Sequence, residues 1–514
     1  MAINNKDTHS LQSNVRIAKN SFYMSIRMII VLCITLYSTR IVLNTLGVED
    51  YGVYNVVAGF VSLFSFLGTS LSNSIQRFYN YELAQKGVPG AKLVYNTSCL
   101  IQLALAIILV IILEVLGPWY IHNKMVLPSS QLETALSLFH CSVLSFVCII
   151  LQAPFLAAVM AHERMGYYSI VSVLDASLQL IIAFIIPYLG GDHLLQYGFL
   201  LLVIRIIVLV LYCVYARTMF EEIRLSANYD KKLLKSMLSF SGWNVFGTFS
   251  GVMKEQGVNL VMNLFFGPII NAAKGVATQV NNGIQSFVSN VIVPVRPQLV
   301  QSYSLGNIER VMHLTYTVSK LSTYLLYIIA LPLFYEIDYV LKLWLGANIP
   351  EYSGAFIRIV IIASFLNNLN ASISGVVHAS GIMKKYQLLG AITNLLAIPL
   401  VYIALSLGGS PLLAMIIVTA VTLLNQVVCM LVLKSIVHYS IKEYASCVIL
   451  PFVYVVCLTA WIPYVLNCFM NPCFIRLSIN VVLSTISIIA AAYLIGVTKE
   501  ERGYINKIFS KIKR

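Results

Sequence analysis

The sequence predicts an all-α polytopic membrane protein, and three observations predict it. Of its 514 residues, 59% are hydrophobic and only 11% are charged, where a soluble protein carries roughly 25%. The mean hydropathy is +0.83. Uncharged runs long enough to cross a bilayer recur from Val53 to Thr498, and a helix needs about 20 apolar residues to span the hydrocarbon core. Backbone polar groups in lipid must be satisfied internally, so helices are the expected element. The alternation of a transmembrane barrel is absent.

Breaking the runs at charged and Gly/Pro clusters gives about fourteen spans. Their cores are 21–46, 52–76, 93–117, 134–161, 165–189, 194–217, 236–265, 268–293, 314–336, 353–382, 385–407, 411–434, 444–467 and 474–496. The first follows a polar N-terminus without a signal-peptide pattern. Gly47 and the acidic pair Glu49–Asp50 separate it from the second. The basic connections Arg77–Lys92 and Arg217–Lys235 end the second and sixth spans, and the Gly408–Pro411 turn "GGSP" divides the longest run. Cysteines are scattered without a CxxC pair, mostly within apolar runs. Cys468 and Cys473 flank one external turn, where a disulfide is an option that spacing alone weakly favours.

Charge then sets orientation. The N-terminus (Lys6, Arg16, Lys19), the second and sixth connections and the C-terminal tail are basic, whereas the alternate connections lean acidic (Glu49, Asp50, Asp192, Glu336, Asp338, Glu351). Both termini and the middle connection are therefore expected in the cytoplasm, and the +14 net charge belongs to cytoplasmic loops rather than to nucleic-acid binding. No external loop exceeds about twenty residues and no Walker A motif occurs, so function is expected within the bilayer.

The chain also repeats itself. "LNTLGVEDYGVYNVV" (43–57) and "MNLFFGPIINAAKGVATQV" (262–280) each carry an Asn, a Gly turn and a Gly early in the next helix. Arg77 and Arg296 follow Gly47 and Gly267 at nearly equal spacing, and Gly87 and Gly306 follow those arginines. Six spans separate the copies, so their membrane orientation is the same, as in a parallel transporter repeat. The expected division is an N-terminal lobe at 1–220, a C-terminal lobe at 221–440, and two extra spans with a basic tail at 441–514.

Charges inside spans normally face a cavity or a partner. They are Arg27, Arg40, Asp175, Arg205, Lys254, Glu255, Lys274, Lys320 and Arg358, with cations in the majority. Arg27 and Arg40 sit near span ends, where long stems can reach the interface. Lys254 and Glu255 lie nearer mid-span. In "NAAKGVATQVNNGIQSFVSN", Asn271, Lys274, Thr278, Asn281, Asn282, Gln285 and Ser289 fall within about 100° of a helical wheel, opposite Ile269, Val276, Val280, Ile284, Phe287 and Val291. Such a stripe is expected to line a cavity, or else to bond a neighbouring helix. Span ten shows a weaker stripe of Ser364, Asn367, Asn368, Ser374 and His378. His378 has no second His or carboxylate at ligand spacing, so no metal or other cofactor is expected. No nucleophile–base pair stands out for an enzyme.

At "FFGPIINAAKGVATQVNNGIQSFVSN", "VRPQLVQSYSLGN" and "TRIVLNTLGVEDYGVYNVVAGFVSLFSFL" the chain resembles Wzx-type oligosaccharide flippases, members of the MATE-like (MOP) flippase superfamily. The resemblance implies two six-span lobes plus two C-terminal spans, a bacterial inner-membrane location, and alternating access around a central cationic cavity. It implies that a polyprenyl-pyrophosphate-linked oligosaccharide is moved from the cytoplasmic to the periplasmic leaflet for lipopolysaccharide or capsule synthesis, with a polysaccharide polymerase as a candidate partner. In the lipid II flippase branch, arginines of spans one, two and eight are implicated with the pyrophosphate. By position the resemblance implies Arg27, Arg40, Arg77, Lys274 and Arg296 here. Lys254 joins them as a mid-span cation, and Asp175 and Glu255 are candidate ion-coupling or charge partners. A drug or organic-cation antiporter of the MATE type is the alternative, and it would want carboxylates where this chain has cations.

Overall fold

The computed structural model describes the backbone of residues 5–498 and 502, apart from short stretches at 128–130, 225, 227–229, 293–294, 296–298, 300–301, 304–305, 370–375, 378–382 and 438–439. Arg296, Ser374, His378 and the basic tail after residue 502 lie outside the described residues. The chain is an all-α polytopic membrane protein. Among the described residues, ten helices are long and apolar enough to cross a membrane. The other four expected spans are helical too, but each misses one requirement. The second is shared between two helices, the seventh and eighth are more polar, and the tenth is described only over 353–369.

The chain divides into two compact units, Met1–Gly275 and Val276–Arg514. The first unit holds α1 (Asn5–Ser62), α2 (Ser65–Asn123), α3 (Leu132–Ala161), α4 (Met165–Ile185), α5 (His193–Met219), α6 (Lys231–Val252) and α7 (Val258–Phe266). A π turn at Met253–Gly257 joins α6 to α7. Helix α8 (Pro268–Ile292) begins in this unit and continues into the next. The second unit holds α9 (Ile308–Leu345), α10 (Ser353–Leu369), α11 (Met383–Leu395), α12 (Ala397–Ser406), α13 (Pro411–Val437), α14 (Ile441–Tyr444), α15 (Leu450–Thr459), α16 (Trp461–Phe469) and α17 (Phe474–Ala491).

The boundary between these units falls inside α8. In the first unit α6 packs on α2 and α7 packs on α1, and in the second α17 packs on α9.

Local sequence explains where helices break. Gly47 (φ 82, ψ 172) and Gly87 (φ 62, ψ −147) interrupt the long runs α1 and α2, in a backbone region that only glycine occupies without strain. Gly267 (φ 73) and Gly306 (φ 72) are also left-handed. These are the four glycines of the sequence repeat that lie outside its close-packed helix starts, and all four share a left-handed backbone. Asp192 caps α5 by accepting from the Leu194 and Leu195 amides, and Asp230 caps α6 by accepting from those of Lys232 and Leu233.

Each unit has its own core. In the first, α2, α3 and α5 bury Leu109, Leu113, Leu138, Phe139 and Ile204. In the second, Tyr324, Tyr327, Leu331, Val455 and Ile488 form one cluster, and Leu299, Val311, Leu433, Tyr444 and Val448 belong to another. Many large apolar side chains remain exposed, including Leu103, Ile107, Ile111 and Val115 along α2. That pattern suits contact with lipid tails.

Candidate functional site

The site is built on the hairpin α7–α8, which turns at Gly267. Its polar residues first bind each other. Asn271 is fully buried and donates to the Asn259 carbonyl at 2.8 Å and to Asn259 Oδ1 at 2.9 Å, while Asn263 donates to Asn271 Oδ1 at 3.2 Å. Lys274, 7% exposed, donates from Nζ to the backbone carbonyl of Glu255 at 2.7 Å. The Glu255 side chain is itself exposed.

The second half of α1 approaches this hairpin almost backbone to backbone. A methyl at Gly52 would fall 2.0 Å from the Pro268 carbonyl oxygen, one at Gly59 would fall 2.8 Å from Gln256 Oε1, and one at Gly275 would fall 2.6 Å from Asn55 Oδ1. Small residues at such spacing let membrane helices approach closely. The first repeated segment, 43–57, is therefore in direct contact with residues 268–275 of the second, all within the first unit.

The polar stripe of α8 is split by this packing. At Asn271 the stripe bonds a neighbouring helix: α7 covers the residue, and its amide links α7 to α8. Further along, Thr278, Asn282 and Ser289 are exposed, and Asn281 and Gln285 are half-buried. Asn281 accepts a hydrogen bond from Ser364 of α10 at 2.8 Å, so it serves both readings of the stripe. Elsewhere on α10, Asn368 donates to Thr323 at 3.1 Å and Asn367 accepts from Gln426 at 3.0 Å.

The candidate cations are dispersed. Arg27 lies on α1 beside an apolar trough of about 490 Å³ lined by Ile26, Ile30, Ile170, Val173 and Leu174. Its guanidinium sits 5.0 Å from the centre of the Tyr168 ring, and its Nε is buried without a hydrogen-bond partner. Arg40 is half-buried on α1, and Lys254 is buried within the π turn. Arg77 is exposed on α2 and faces the start of α6.

Two of the remaining charges pair off. Arg205 donates to Asp175 Oδ2 at 2.8 Å, and Gln179 donates to Asp175 Oδ1 at 2.9 Å. Arg205 and Gln179 border a cavity of about 290 Å³ that Tyr54, Ser62, Ser142 and Ser145 also line. Arg358 donates to Asp338 Oδ2 at 2.7 Å. For Lys274 the Glu255 backbone carbonyl, rather than a carboxylate, is the hydrogen-bond acceptor at 2.7 Å.

Sequence reasoning passed over two buried networks. Arg476 donates to Glu336 Oε2 at 2.6 Å and to the Met470 carbonyl at 2.8 Å, and Asn480 donates to Glu336 Oε1 at 3.1 Å. Glu222 accepts from Tyr79 at 2.8 Å and contacts His162 Nε2 at 2.6 Å. Arg476 and Glu336 stand at span ends, where solvent pairing is the default expectation. The signal available was their like position at the ends of two apolar runs. Cys468 and Cys473 are free thiols.

No family model matches the chain, and no curated protein sequence matches it. Solved structures do. An inward-facing multidrug resistance MATE family transporter of the MOP superfamily superposes with a TM-score of 0.65 at 15% identity, over 80% of this chain and 98% of that one. The lipid II flippase MurJ, in an inward closed conformation, superposes with a TM-score of 0.66 at 13% identity, over 92% of this chain and 98% of that one. The fold is that of the MOP-superfamily transporters. A MOP superfamily transporter from Pyrococcus furiosus also matches, with a TM-score of 0.56 at 13% identity over 82% and 96% of the two chains. At such identities the MOP fold is what is shared, and substrate must be argued from this chain's own residues.

Proposed function

We propose that this chain is a flippase that moves a polyprenyl-pyrophosphate-linked oligosaccharide from the cytoplasmic to the periplasmic leaflet by alternating access between its two repeats. The observation that carries the reading is Arg27 at the apolar trough of α1 and α4. A buried guanidinium N–H without an acceptor, beside an apolar channel, suits an amphiphile whose anionic head meets its hydrocarbon tail. The exposed amides and hydroxyls of Thr278, Asn282 and Ser289 suit a sugar chain. The same fold occurs in a protein described as a lipid II flippase, so it is compatible with such a cargo.

The organic-cation antiporter is less well supported. Such a site wants carboxylates, but within the spans cations outnumber them, and Asp175 already holds Arg205 at 2.8 Å.

The test is translocation of a fluorescent lipid-linked oligosaccharide in proteoliposomes, read by lectin accessibility. Wild type is expected to accelerate transfer between leaflets. Arg27→Ala should slow it at least tenfold, and Arg27→Lys should retain part of the rate. No acceleration by the wild type would overturn the reading.

A further inference from the structure

The apolar outer face of α2 ends on an acid. Leu100, Leu103, Ile107 and Ile111 are all exposed and recur at helical spacing, and Glu114 continues their stripe. The Glu114 side chain is 38% exposed, and that of His140 on α3 is 49% exposed. His140 Nδ1 lies 3.1 Å from Glu114 Oε1 and 3.0 Å from Oε2. Leu144, one turn further along α3, is exposed as well. The pair therefore stands on an apolar outer surface rather than inside the unit.

Packing brings the two side chains together. A methyl at Gly117 would fall 2.0 Å from Phe139 Cζ, so this glycine lets α2 close on α3 one turn from Glu114. The level of the pair in the membrane follows from the chain. Leu93–Leu113 is uncharged, and Lys92 and Glu114 bound it. The rise from Lys92 to Glu114 is about 33 Å at about 1.5 Å per residue, close to the roughly 30 Å of the hydrocarbon core. With Lys92 at one boundary of the core, Glu114 and His140 stand at the other, where headgroups begin. On the cytoplasmic placement of the basic connections, that boundary belongs to the external leaflet.

A charge against hydrocarbon is costly and normally has a cavity or a partner. The chemistry of this pair selects the partner. A carboxylate only accepts hydrogen bonds, so Nδ1 carries the proton between the two groups, and in the uncharged ring Nε2 is left as an acceptor. The pair thus presents lone pairs and one negative charge. Glu133, exposed at the start of α3, adds another. The basic residues at the end of α2, His122 and Lys124, lie more than two turns beyond Glu114.

We infer that Glu114 and His140 form a binding site for a phospholipid with a primary ammonium headgroup, its acyl chain lying along the Leu103–Ile111 stripe. A primary ammonium brings a positive charge and three N–H donors, and so makes charge-assisted hydrogen bonds to these acceptors. A choline headgroup brings the charge without the N–H groups. A phosphatidylglycerol headgroup brings the wrong sign.

The test uses full-length protein in nanodiscs of phosphatidylethanolamine, phosphatidylcholine and phosphatidylglycerol in equal parts. Lipids that stay bound after detergent extraction are counted by mass spectrometry. Wild type should retain the ethanolamine lipid about threefold over the choline lipid, the scale of one exposed ion pair. Glu114→Gln should abolish that preference, and Glu114→Asp should keep part of it. With wild type alone, N-methylated ethanolamine lipids should bind in the order of their remaining N–H groups, a series that no folding defect produces. Equal retention of ethanolamine and choline lipids by wild type overturns the site. So does a preference that Glu114→Gln leaves unchanged. A second copy of the chain, or another membrane helix, that Glu114→Gln releases with no change in bound lipid assigns the pair to a helix contact and overturns the lipid site.

Discussion

Lys274 Nζ donates to the backbone carbonyl of Glu255 at 2.7 Å. The acceptor lies in the π turn Met253–Gly257, and turns of this kind interrupt the regular helical ladder, often at functional sites. The bond fastens α8 to the turn that joins α6 and α7. Glu255→Gln keeps this acceptor, since it is main chain, and removes only the carboxylate charge, so it should cost less than loss of the lysine. Lys274→Ala should cost about 1.5–3 kcal/mol, the range for a hydrogen bond from a charged group. It should also abolish surface polysaccharide while the protein still reaches the membrane. Thermal unfolding in detergent and a polysaccharide assay check both, and normal polymer in the Lys274→Ala strain would remove the cation from the transport path.

Gly52 faces the Pro268 carbonyl with no room for a methyl group. Gly52→Ala must push α1 away from α8, and overpacking of this sort costs typically 1–3 kcal/mol. Gly267→Ala should cost a similar about 1–3 kcal/mol for a different reason, because φ 73 with ψ −169 is strained for any side chain. Gly251, whose added methyl would meet nothing within 4 Å, is the control expected to be mild. Melting temperatures of the three variants test the ranking.

The Arg476–Glu336 pair anchors α17 to α9, and both side chains are buried. Glu336→Ala leaves a buried guanidinium uncompensated and should destabilise by about 3–5 kcal/mol. Replacing both residues with apolar ones of similar volume should be much milder. Detergent unfolding of the single and double variants measures the difference.

Asp175 is held by Arg205 and Gln179, and on the proposed flippase reading the membrane potential is an expected driving force. Moving about two negative charges outward against an inside-negative 100 mV releases roughly 4–5 kcal/mol. In proteoliposomes an imposed inside-negative potential should speed outward translocation, and its collapse should slow it, in Asp175→Asn as in wild type. A requirement for a proton or sodium gradient that only Asp175→Asn abolishes would assign ion coupling to Asp175.

The sequence by itself determined the spans, their helical nature and the repeat. Apolar runs of bilayer length permit no other backbone solution, and Gly47, Gly87, Gly267 and Gly306 fix the breaks through conformations that other residues avoid. It also determined the polar stripe of α8, since helical periodicity is local. The tertiary structure decided what that stripe does. Periodicity says which residues share a face and not what covers it. Here α7 covers Asn271, and the Glu255 carbonyl takes Lys274, while Thr278, Asn282 and Ser289 stay exposed. Charge partners were equally beyond the sequence. Arg205 with Asp175, and Arg476 with Glu336, are pairs between helices far apart in the chain, brought together by packing. The seventh span joined the first unit for the same reason: contact between α2 and α6 outweighs chain order in setting where a compact unit ends.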